Sequence, residues 1–265
     1  MAEYLSSPQN SRIKRVAKLR KRRNRLAEGV TIVEGIEELQ RAASAPGGFT
    51  EIYTMERLVS PAGQDLINAA EAKGAPVFDV SPELFHKIAI RENADGIVAI
   101  APSPVVSLGE LELSDSPLIL VAEAIEKPGN LGAMLRTGDA AGVDAVILCD
   151  PTTDATNPNV VRASLGCLFT VPVAEATLAD TTEFLGSNGI IPFITTPAAT
   201  QAHYEADLTG PTALVVGSEH DGVSSDWIEG AHEKLLIPMA GDADSLNTAM
   251  SAGIVLYEAV RQRSL

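Results

Sequence analysis

From residue 117 to its end, the chain alternates regularly between short apolar runs and segments with helical periodicity. The apolar runs occupy residues 118–121, 144–149, 169–173, 190–195, 213–216 and 235–239. Apolar strands separated by helices are typical of βαβ units, whose parallel sheets are buried on both faces. The alternation therefore predicts an α/β domain over residues 117–265 with a parallel sheet at its centre.

A smaller α/β pattern comes before this domain. Strand-like runs at residues 30–33, 49–54, 76–80 and 96–101 are separated by helical segments at residues 34–45, 61–73 and from residue 81 onward. These elements predict a compact domain over residues 29–105. The glycine and the acidic residues that follow indicate a linker at residues 106–116.

Charge is distributed very unevenly along the chain. The first 25 residues hold nine lysines and arginines against the single Glu3, whereas the whole chain has a net charge of −15. A basic arm on an acidic protein is typical of nucleic-acid contact, although a solvated tail has the same composition. Ile13, Val16 and Leu19 recur at helical spacing, which predicts a basic arm or helix over residues 1–28 with one apolar stripe. The cations expected to contact nucleic acid are Arg12, Lys14, Arg15, Lys18, Arg22 and Arg23.

Several classes of protein are disfavoured by what the sequence lacks. The loops of the larger domain carry no GxGxxG, GxxxxGK or GxSxG motif, which argues against simple dinucleotide-binding, P-loop NTPase and α/β-hydrolase sites. Cys149 and Cys167 are isolated and the four histidines show no ligand spacing, so we expect no metal and two buried, reduced thiols. No apolar run approaches about 20 residues, and the start lacks a secretory core, so we expect a cytoplasmic protein.

Residues 234–263 combine a short apolar run, a loop of small polar residues and a long amphipathic segment. The apolar positions of that segment are Leu246, Met250, Gly253, Ile254, Tyr257 and Val260. Their spacing predicts a helix, with Asp244 or Ser245 as its expected capping residue. Ligands of parallel α/β sheets usually bind beyond the carboxyl ends of the strands, so the loop is a candidate binding site.

Two further loops have unusual sequences. Residues 126–148 read EKPGNLGAMLRTGDAAGVDAVIL, in which Asn130 falls where a helix would begin and Arg136 falls in the second turn. Residues 214–224 read LVVGSEHDGVS, in which Gly217, having no Cβ, would let a ligand approach the backbone closely.

Together, these strings closely resemble the three signatures of the SpoU (TrmH-type) RNA ribose methyltransferases of the SPOUT superfamily. NLGxxxRTxxAxGVDxVIL resembles the first signature, the loop around Gly217 the second, and IPM followed by SLN and LYE the third, in the family's order and spacing. NPNVVRASLGCLFTVPV at residues 157–173 is similar to a segment in which family members keep an arginine, here Arg162. More loosely, EGxEELQRA at residues 34–42 resembles the substrate-binding domain that precedes many of these catalytic domains.

The resemblance implies a fold, a reaction and partners. The fold would be a C-terminal parallel-sheet domain with a trefoil knot, preceded by a smaller α/β substrate-binding domain, in a homodimer formed through the C-terminal domain. The reaction would transfer a methyl group from S-adenosylmethionine to a ribose 2′-hydroxyl in RNA. We place 23S ribosomal RNA first among the targets, with a transfer RNA enzyme or an rRNA methylase conferring antibiotic resistance as alternatives. A non-catalytic RNA-binding protein and a small-molecule enzyme using another nucleotide cofactor are the alternatives from other classes.

The resemblance also implies roles for individual residues. The implied cofactor-binding residues are Thr195, Thr196, Gly217, Ser218, Glu219, Ile237, Met239, Ser245 and Leu246, and the implied catalytic residues are Asn130, Arg136, Arg162, Glu219, Ser245 and Asn247. Because a guanidinium is charged and has no lone pair, we expect both arginines to anchor phosphates and Arg136 also to stabilise a developing alkoxide. Whether Arg136 acts as a base stays open at this stage. The asparagines and Ser245 would orient the hydroxyl, and Glu219 would hold an arginine.

Overall fold

The computed structural model describes residues 3–92, 95–230 and 232–264. Its strands are β1 (Glu3–Leu5), β2 (Val30–Val33), β3 (Glu51–Thr54), β4 (Val77–Val80), β5 (Ile97–Pro102), β6 (Val105–Val106), β7 (Leu118–Glu123), β8 (Ala145–Cys149), β9 (Val173–Ala176), β10 (Ile191–Thr195), β11 (Gln201–Ala202), β12 (Thr212–Val216) and β13 (Glu233–Leu236). Its helices are α1 (Ser11–Lys18), α2 (Arg22–Glu28), α3 (Ile36–Ser44), α4 (Pro61–Ala72), α5 (Pro82–Ile88), α6 (Pro128–Ala141), α7 (Pro158–Ala163), α8 (Leu178–Ser187), α9 (Ser225–Glu229) and α10 (Thr248–Arg263). Short 3₁₀ helices lie at Glu56–Leu58, Leu108–Glu110 and Cys167–Phe169.

These elements form two compact units whose limits differ from the predicted domains. The first unit contains the described residues up to Pro104 together with Asp154–Thr170, and the second contains Val105–Thr153 and the described residues from Val171 onward. Residues 154–170 lie within the predicted C-terminal domain, 117–265, but their contacts assign them to the first unit. In that unit α7 packs on β2 and the 3₁₀ helix at Cys167–Phe169 packs on α3.

The first unit is built on a mixed five-stranded sheet in the order β1-β4-β3-β5-β2. β5 pairs antiparallel with β2 and β3, whereas β4 pairs parallel with β1 and β3. Ile13, Val16 and Leu19 of the basic segment are fully buried in the core of this unit. The predicted apolar stripe is confirmed, and the segment is a folded part of the unit rather than a solvated tail.

The second unit is built on an eight-stranded sheet in the order β11-β13-β10-β12-β7-β8-β9-β6, with every pair parallel. Every residue of β7, β8 and β12 is buried, as expected for strands covered on both faces. Leu185 of α8 and Trp227 of α9 belong to one buried apolar cluster with the β7 residues Ile119 and Val121. α6 packs on β8 and α10 on β12, which confirms the predicted α/β class.

Two strands depart from their predicted limits, and proline accounts for both. The third strand of the C-terminal pattern begins at Val173 instead of residue 169, after Pro172 and a 3₁₀ helix. The last strand ends at Leu236, before Pro238, instead of at residue 239. Proline has no N–H to donate to a strand ladder, so regular pairing begins after Pro172 and ends before Pro238.

Among the helices that the structure describes, none combines the length and the apolar character of a membrane span.

Candidate active site

A cavity of about 550 Å³ lies at the carboxyl ends of β10, β12 and β13. Its wall is formed by the loops that follow these strands, together with Lys127 from the loop before α6. The nine residues predicted to bind cofactor all line it: Thr195, Thr196, Gly217, Ser218, Glu219, Ile237, Met239, Ser245 and Leu246. Their position agrees with the predicted site, while their role in binding stays a prediction.

Hydrogen bonds join three segments at the rim of this cavity, which we call the first motif loop (residues 126–130), the second motif loop (residues 217–224) and the third motif loop (residues 237–247). The Glu219 carboxylate accepts from the backbone N–H groups of Glu126 at 3.0 Å and Lys127 at 3.1 Å, and from the Asn130 side-chain amide at 2.6 Å. The Asn247 side-chain amide in turn donates to Asn130 Oδ1 at 3.0 Å. Residues from all three motifs therefore take part in a single connected network.

Glu219 was expected to hold an arginine, and the structure contradicts this. Its carboxylate accepts hydrogen bonds from residues 126–130, and the described part of the chain shows no ion pair between Glu219 and an arginine. Burial alone would raise the pKa of Glu219. The hydrogen bonds from Glu126 and Asn130 lower the pKa by more than burial raises it, so the pKa lies below its ordinary value. A charged Glu219 thus fixes the conformation of the first motif loop.

Asn247 begins α10, which corrects the expected cap at Asp244 or Ser245. Its Oδ1 accepts from the backbone N–H groups of Ala249 at 3.0 Å and Met250 at 3.3 Å, as a helix N-cap does. Both ends of the Asn247 carboxamide therefore have partners, one in its own helix and one in the first motif loop. Asn247 was not among the two predicted caps, although asparagine serves this role as well as aspartate and serine do.

Gly217 is required by the protein's own backbone, and its predicted role in letting a ligand approach closely stays a prediction. A Cβ at this position would lie 2.1 Å from the carbonyl carbon and oxygen of Gly222, closer than any real Cβ contact. The turn is closed by the Ser218 N–H, which donates to the Gly222 carbonyl at 2.9 Å. The Thr248 hydroxyl donates to the Gly217 carbonyl at 2.9 Å and joins this turn to α10.

The threonine at the end of β10 has an unused hydroxyl. Thr195 Oγ1 is buried, lies at a residue that lines the cavity, and has no hydrogen-bond partner within the described portion of the protein. The backbone N–H of Thr196 donates to the Leu235 carbonyl, which ties this loop to β13. A buried hydroxyl without a partner is costly, so Thr195 is suited to bind a polar atom of a ligand.

Arg136 and Arg162, the two predicted phosphate anchors, occupy different units. Arg136 lies on α6 in the second unit and is exposed, and its guanidinium makes no hydrogen bond or ion pair with any described residue. Arg162 lies on α7 in the first unit and is likewise exposed, while the neighbouring Val160 and Val161 are buried. The hydrogen-bonded network of Asn130, Glu219 and Asn247 includes neither arginine.

The cations predicted to contact nucleic acid differ in whether their side chains already have a partner within the protein. Arg12 and Arg15 each donate to Glu51 at 2.8 Å, and the Arg12 guanidinium also stacks 4.5 Å from the centre of the Phe78 ring. Lys14 bonds the Gln9 side chain. The remaining three predicted cations, Lys18, Arg22 and Arg23, are exposed; the nearest carboxylate to Arg22 is that of Asp154 at 4.0 Å.

Sequence reasoning missed one buried carboxylate near the cavity. Glu123, the last residue of β7, is buried and accepts from the backbone N–H of Ser224 at 2.8 Å, which anchors the end of the second motif loop. An acidic residue closing an apolar strand was the available signal.

No group of three or more metal-ligating side chains occurs among the residues described. Cys149 and Cys167 are both buried, as predicted, and neither forms a disulfide with a described residue.

Comparison with protein families agrees with the two-part organisation. Residues 117–257 match the SpoU rRNA Methylase family, and residues 10–99 match the MRM3-like substrate binding domain. The second match includes the basic helix α1, consistent with the burial of its apolar face in the first unit.

Individual relatives cover most of the chain. This chain is 39% identical over 207 residues to 23S rRNA (guanosine-2′-O-)-methyltransferase RlmB of Ralstonia nicotianae, and the alignment covers 76% of this chain and 83% of the relative. It is 30% identical to 23S rRNA (guanosine(2553)-2′-O)-methyltransferase RlmP of Bacillus subtilis, covering 96% of this chain and 98% of the relative. A crystal structure of AdoMet-bound rRNA methyltransferase from Sinorhizobium meliloti superposes with a TM-score of 0.89 at 27% identity, covering 98% of both chains. The motifs, their arrangement around one cavity and these similarities show that the chain belongs to the SpoU rRNA methylase family.

Proposed function

We propose that this protein transfers a methyl group from S-adenosylmethionine to the ribose 2′-hydroxyl of a guanosine in 23S ribosomal RNA. The observation that carries the proposal is the meeting of three motif loops at one cavity, joined through Glu219, Asn130 and Asn247. The printed names of the Ralstonia and Bacillus relatives support the reaction and the RNA class.

The cavity suits S-adenosylmethionine in size and in chemistry. Its volume of about 550 Å³ falls in the range of about 300–1,000 Å³ that is typical of small-molecule sites. Ile237, Met239 and Leu246 provide an apolar surface for the adenine ring. The unused Thr195 hydroxyl provides a polar contact. The bound cofactor would supply an electrophilic methyl group carried on a sulfonium sulfur.

Arg136 is proposed to act on the RNA rather than as a base. Its five N–H donors suit a phosphate or the developing negative charge on the 2′-oxygen, and a charged guanidinium has no lone pair to accept the proton. Because Arg136 has no partner within the described chain, these donors are available to substrate. Ser245, exposed on the cavity rim, is proposed to contact the 2′-hydroxyl, and Arg162 to bind a second phosphate.

Asn130, Glu219 and Asn247 are proposed to hold the cavity in shape. Each carboxamide already has a partner on its nitrogen and on its oxygen, so orienting the hydroxyl is at most a secondary task for them. Glu219, bound to two backbone N–H groups, would keep the first motif loop fixed when cofactor enters. Preorganisation of this kind lowers the cost of ordering a loop during binding.

RNA is proposed to contact the α1–α2 face of the first unit. Lys18, Arg22 and Arg23 are exposed there and would neutralise phosphates, which is the main source of affinity for nucleic acid. Arg12 and Arg15 would add oriented donors, since Glu51 restrains both guanidinium groups. We place the protein in the cytoplasm, where its ribosomal RNA substrate would be found.

The second unit is proposed to contain the trefoil knot of its family and to form a homodimer. The strand order supports the knot, because β10 lies between β12 and β13 and the chain after β13 returns to pack α10 on β12 and α6. Met250 and Tyr257 of α10 are 62% and 50% exposed and support an interface on this helix. Contiguous exposed apolar surface marks sites that bind a partner, and Met250 and Tyr257 lie two helical turns apart on α10, on the same face.

Methyl transfer to defined RNAs tests the proposed function. We expect purified protein to transfer labelled methyl groups from S-adenosylmethionine to an unmodified 23S ribosomal RNA transcript, and we expect transfer RNA to be a poor acceptor. Preferred methylation of transfer RNA would favour the runner-up target. Binding of the 23S transcript without transfer would favour a non-catalytic RNA-binding protein, and stabilisation by NAD without stabilisation by S-adenosylmethionine would favour a different enzyme class.

A further inference from the structure

A buried arginine joins the basic N-terminal segment to the segment that carries Arg162. Arg25 is 2% exposed, and its Nη2 lies 3.0 and 3.1 Å from the two carboxylate oxygens of Asp154, which is itself buried. Nη1 donates to the carbonyls of Leu19 and Arg20, both at 2.8 Å, and Nε donates to Thr156 Oγ1 at 3.3 Å. All three nitrogens of the guanidinium are therefore bound inside the first unit.

Further contacts hold residues 154–170 to the same unit. The Thr31 hydroxyl of β2 donates to the Thr156 carbonyl at 2.7 Å, and Thr156 donates to the Asp154 carboxylate at 2.6 Å. At the other end of the segment, Arg41 of α3 donates to the Leu165 carbonyl at 2.6 Å. The segment is thus fixed at both of its ends.

The turn that follows α7 has a backbone conformation that requires this docking. Leu165 has a φ of +51°, uncommon for a residue with a side chain, and Gly166 has a φ of +81°. A Cβ at Gly166 would lie 2.8 Å from the Cα of Glu38, so the segment is in direct backbone contact with α3. Residues in such conformations persist when their surroundings hold them in place.

From these contacts we infer that Arg25 is a positioning residue for Arg162. The inference rests on the proposed function, in which Arg162 binds a phosphate of the RNA. Arg25 holds Asp154 and Thr156 directly before α7, and α7 presents Arg162 on its exposed side. The unit that matches a substrate-binding domain would thereby also orient an arginine whose sequence lies within the methylase match at residues 117–257.

A double-mutant cycle between Arg25 and Arg162 tests this inference. We expect Arg25→Met to lower kcat/KM for an unmodified 23S ribosomal RNA transcript by roughly tenfold or more, with the dissociation constant of S-adenosylmethionine changed by less than about twofold. In the Arg162→Ala background, the same change should cost less than about a further twofold, because the group that it positions is already absent. Arg25→Lys should recover part of the activity, since it keeps the charge but loses the fork geometry. Arg57→Met, at an exposed arginine of the same unit, is the matched control.

The outcomes distinguish the inference from the proposed function. An equal fold loss from Arg25→Met in both backgrounds, or a parallel loss of cofactor affinity, would overturn the positioning role and leave the methyltransferase assignment intact. Absence of methyl transfer by the unaltered protein, or full activity of Arg162→Ala, would instead remove the premise on which the inference rests. If Arg25→Met fails to fold, the same cycle is run with Arg25→Lys, for which an equal loss in both backgrounds again overturns the inference.

Discussion

At the level of single residues, the site depends on close contacts between loops that are distant in sequence. The sequence identified Asn130, Glu219 and Asn247 as site residues but could not predict that they bind one another. Their pairing depends on how the first, second and third motif loops meet beyond the sheet, and no local pattern encodes that distance. The prediction that Glu219 holds an arginine was wrong because the sequence does not show which loops meet.

Gly217→Ala should disrupt the second motif loop. The added Cβ would overlap the Gly222 carbonyl, so the turn must move, at a cost of about 1–3 kcal/mol in the free energy of unfolding. We expect calorimetry to show a loss of S-adenosylmethionine binding of at least about tenfold. Gly186→Ala on α8, where a Cβ would meet open space, is the control. It should raise the free energy of unfolding by about 0.4–1 kcal/mol, as a helical glycine replaced by alanine does, and leave cofactor binding unchanged. Unchanged binding by Gly217→Ala would contradict the importance of this turn.

Glu219 should make stability depend on pH in a defined direction. Its pKa in the folded protein lies below the usual 4.5, so its stabilising contribution is present above that value and is lost as pH falls through the folded pKa. Urea titrations of the unaltered protein and Glu219→Gln should show a constant stability difference above pH 4.5 that shrinks on further acidification. Glu229→Gln, at an exposed side chain on α9, is the control. A difference that widens on acidification would rule out this role.

At the level of helices and strands, hydropathy and proline explain most of what could be predicted. The buried strands β7, β8 and β12 were recognisable because each is continuously apolar, and their limits agree within two residues. The limits of β9 and β13 were missed where Pro172 and Pro238 interrupt pairing. The start of α10 was missed because the competing caps are chemically equivalent.

The N-cap of α10 should have two separable functions. Asn247→Asp keeps an oxygen that can cap the helix but loses the amide that donates to Asn130, whereas Asn247→Ala loses both. We expect Asn247→Ala to lower the free energy of unfolding by about 1 kcal/mol and Asn247→Asp to lower it much less. Cofactor affinity measured by calorimetry should fall for both variants. Full cofactor affinity in Asn247→Asp would show that the bond to Asn130 does not matter for binding.

At the level of the whole molecule, the sequence predicted two α/β parts but not their exact membership. Residues 154–170 follow β8 and were assigned to the C-terminal domain by continuity of the chain. Their contacts lie with the first unit instead, through Arg25, Thr31 and Arg41. Tertiary contacts of this kind leave little trace in a single sequence. The one trace is Arg25, an arginine on the side of α2 that is buried.

The exposed apolar side chains of α10 should hold two copies of the protein together. Met250→Glu and Tyr257→Glu place a charge on the proposed interface. We expect the unaltered protein to sediment as a dimer and both variants to sediment as monomers. Glu233→Lys, at an exposed position on β13, is the control for altered charge. A dimer that persists in both α10 variants would indicate an interface elsewhere.

Nucleoside analysis of methylated RNA tests the proposed 2′-O-methylation of guanosine most directly. An unmodified 23S ribosomal RNA transcript is incubated with the protein and S-adenosylmethionine, digested to nucleosides and examined by mass spectrometry. We predict the appearance of 2′-O-methylguanosine, and its loss with Arg136→Ala at nearly unchanged cofactor affinity. A methyl group on a base, or no methylated nucleoside at all, would contradict the account.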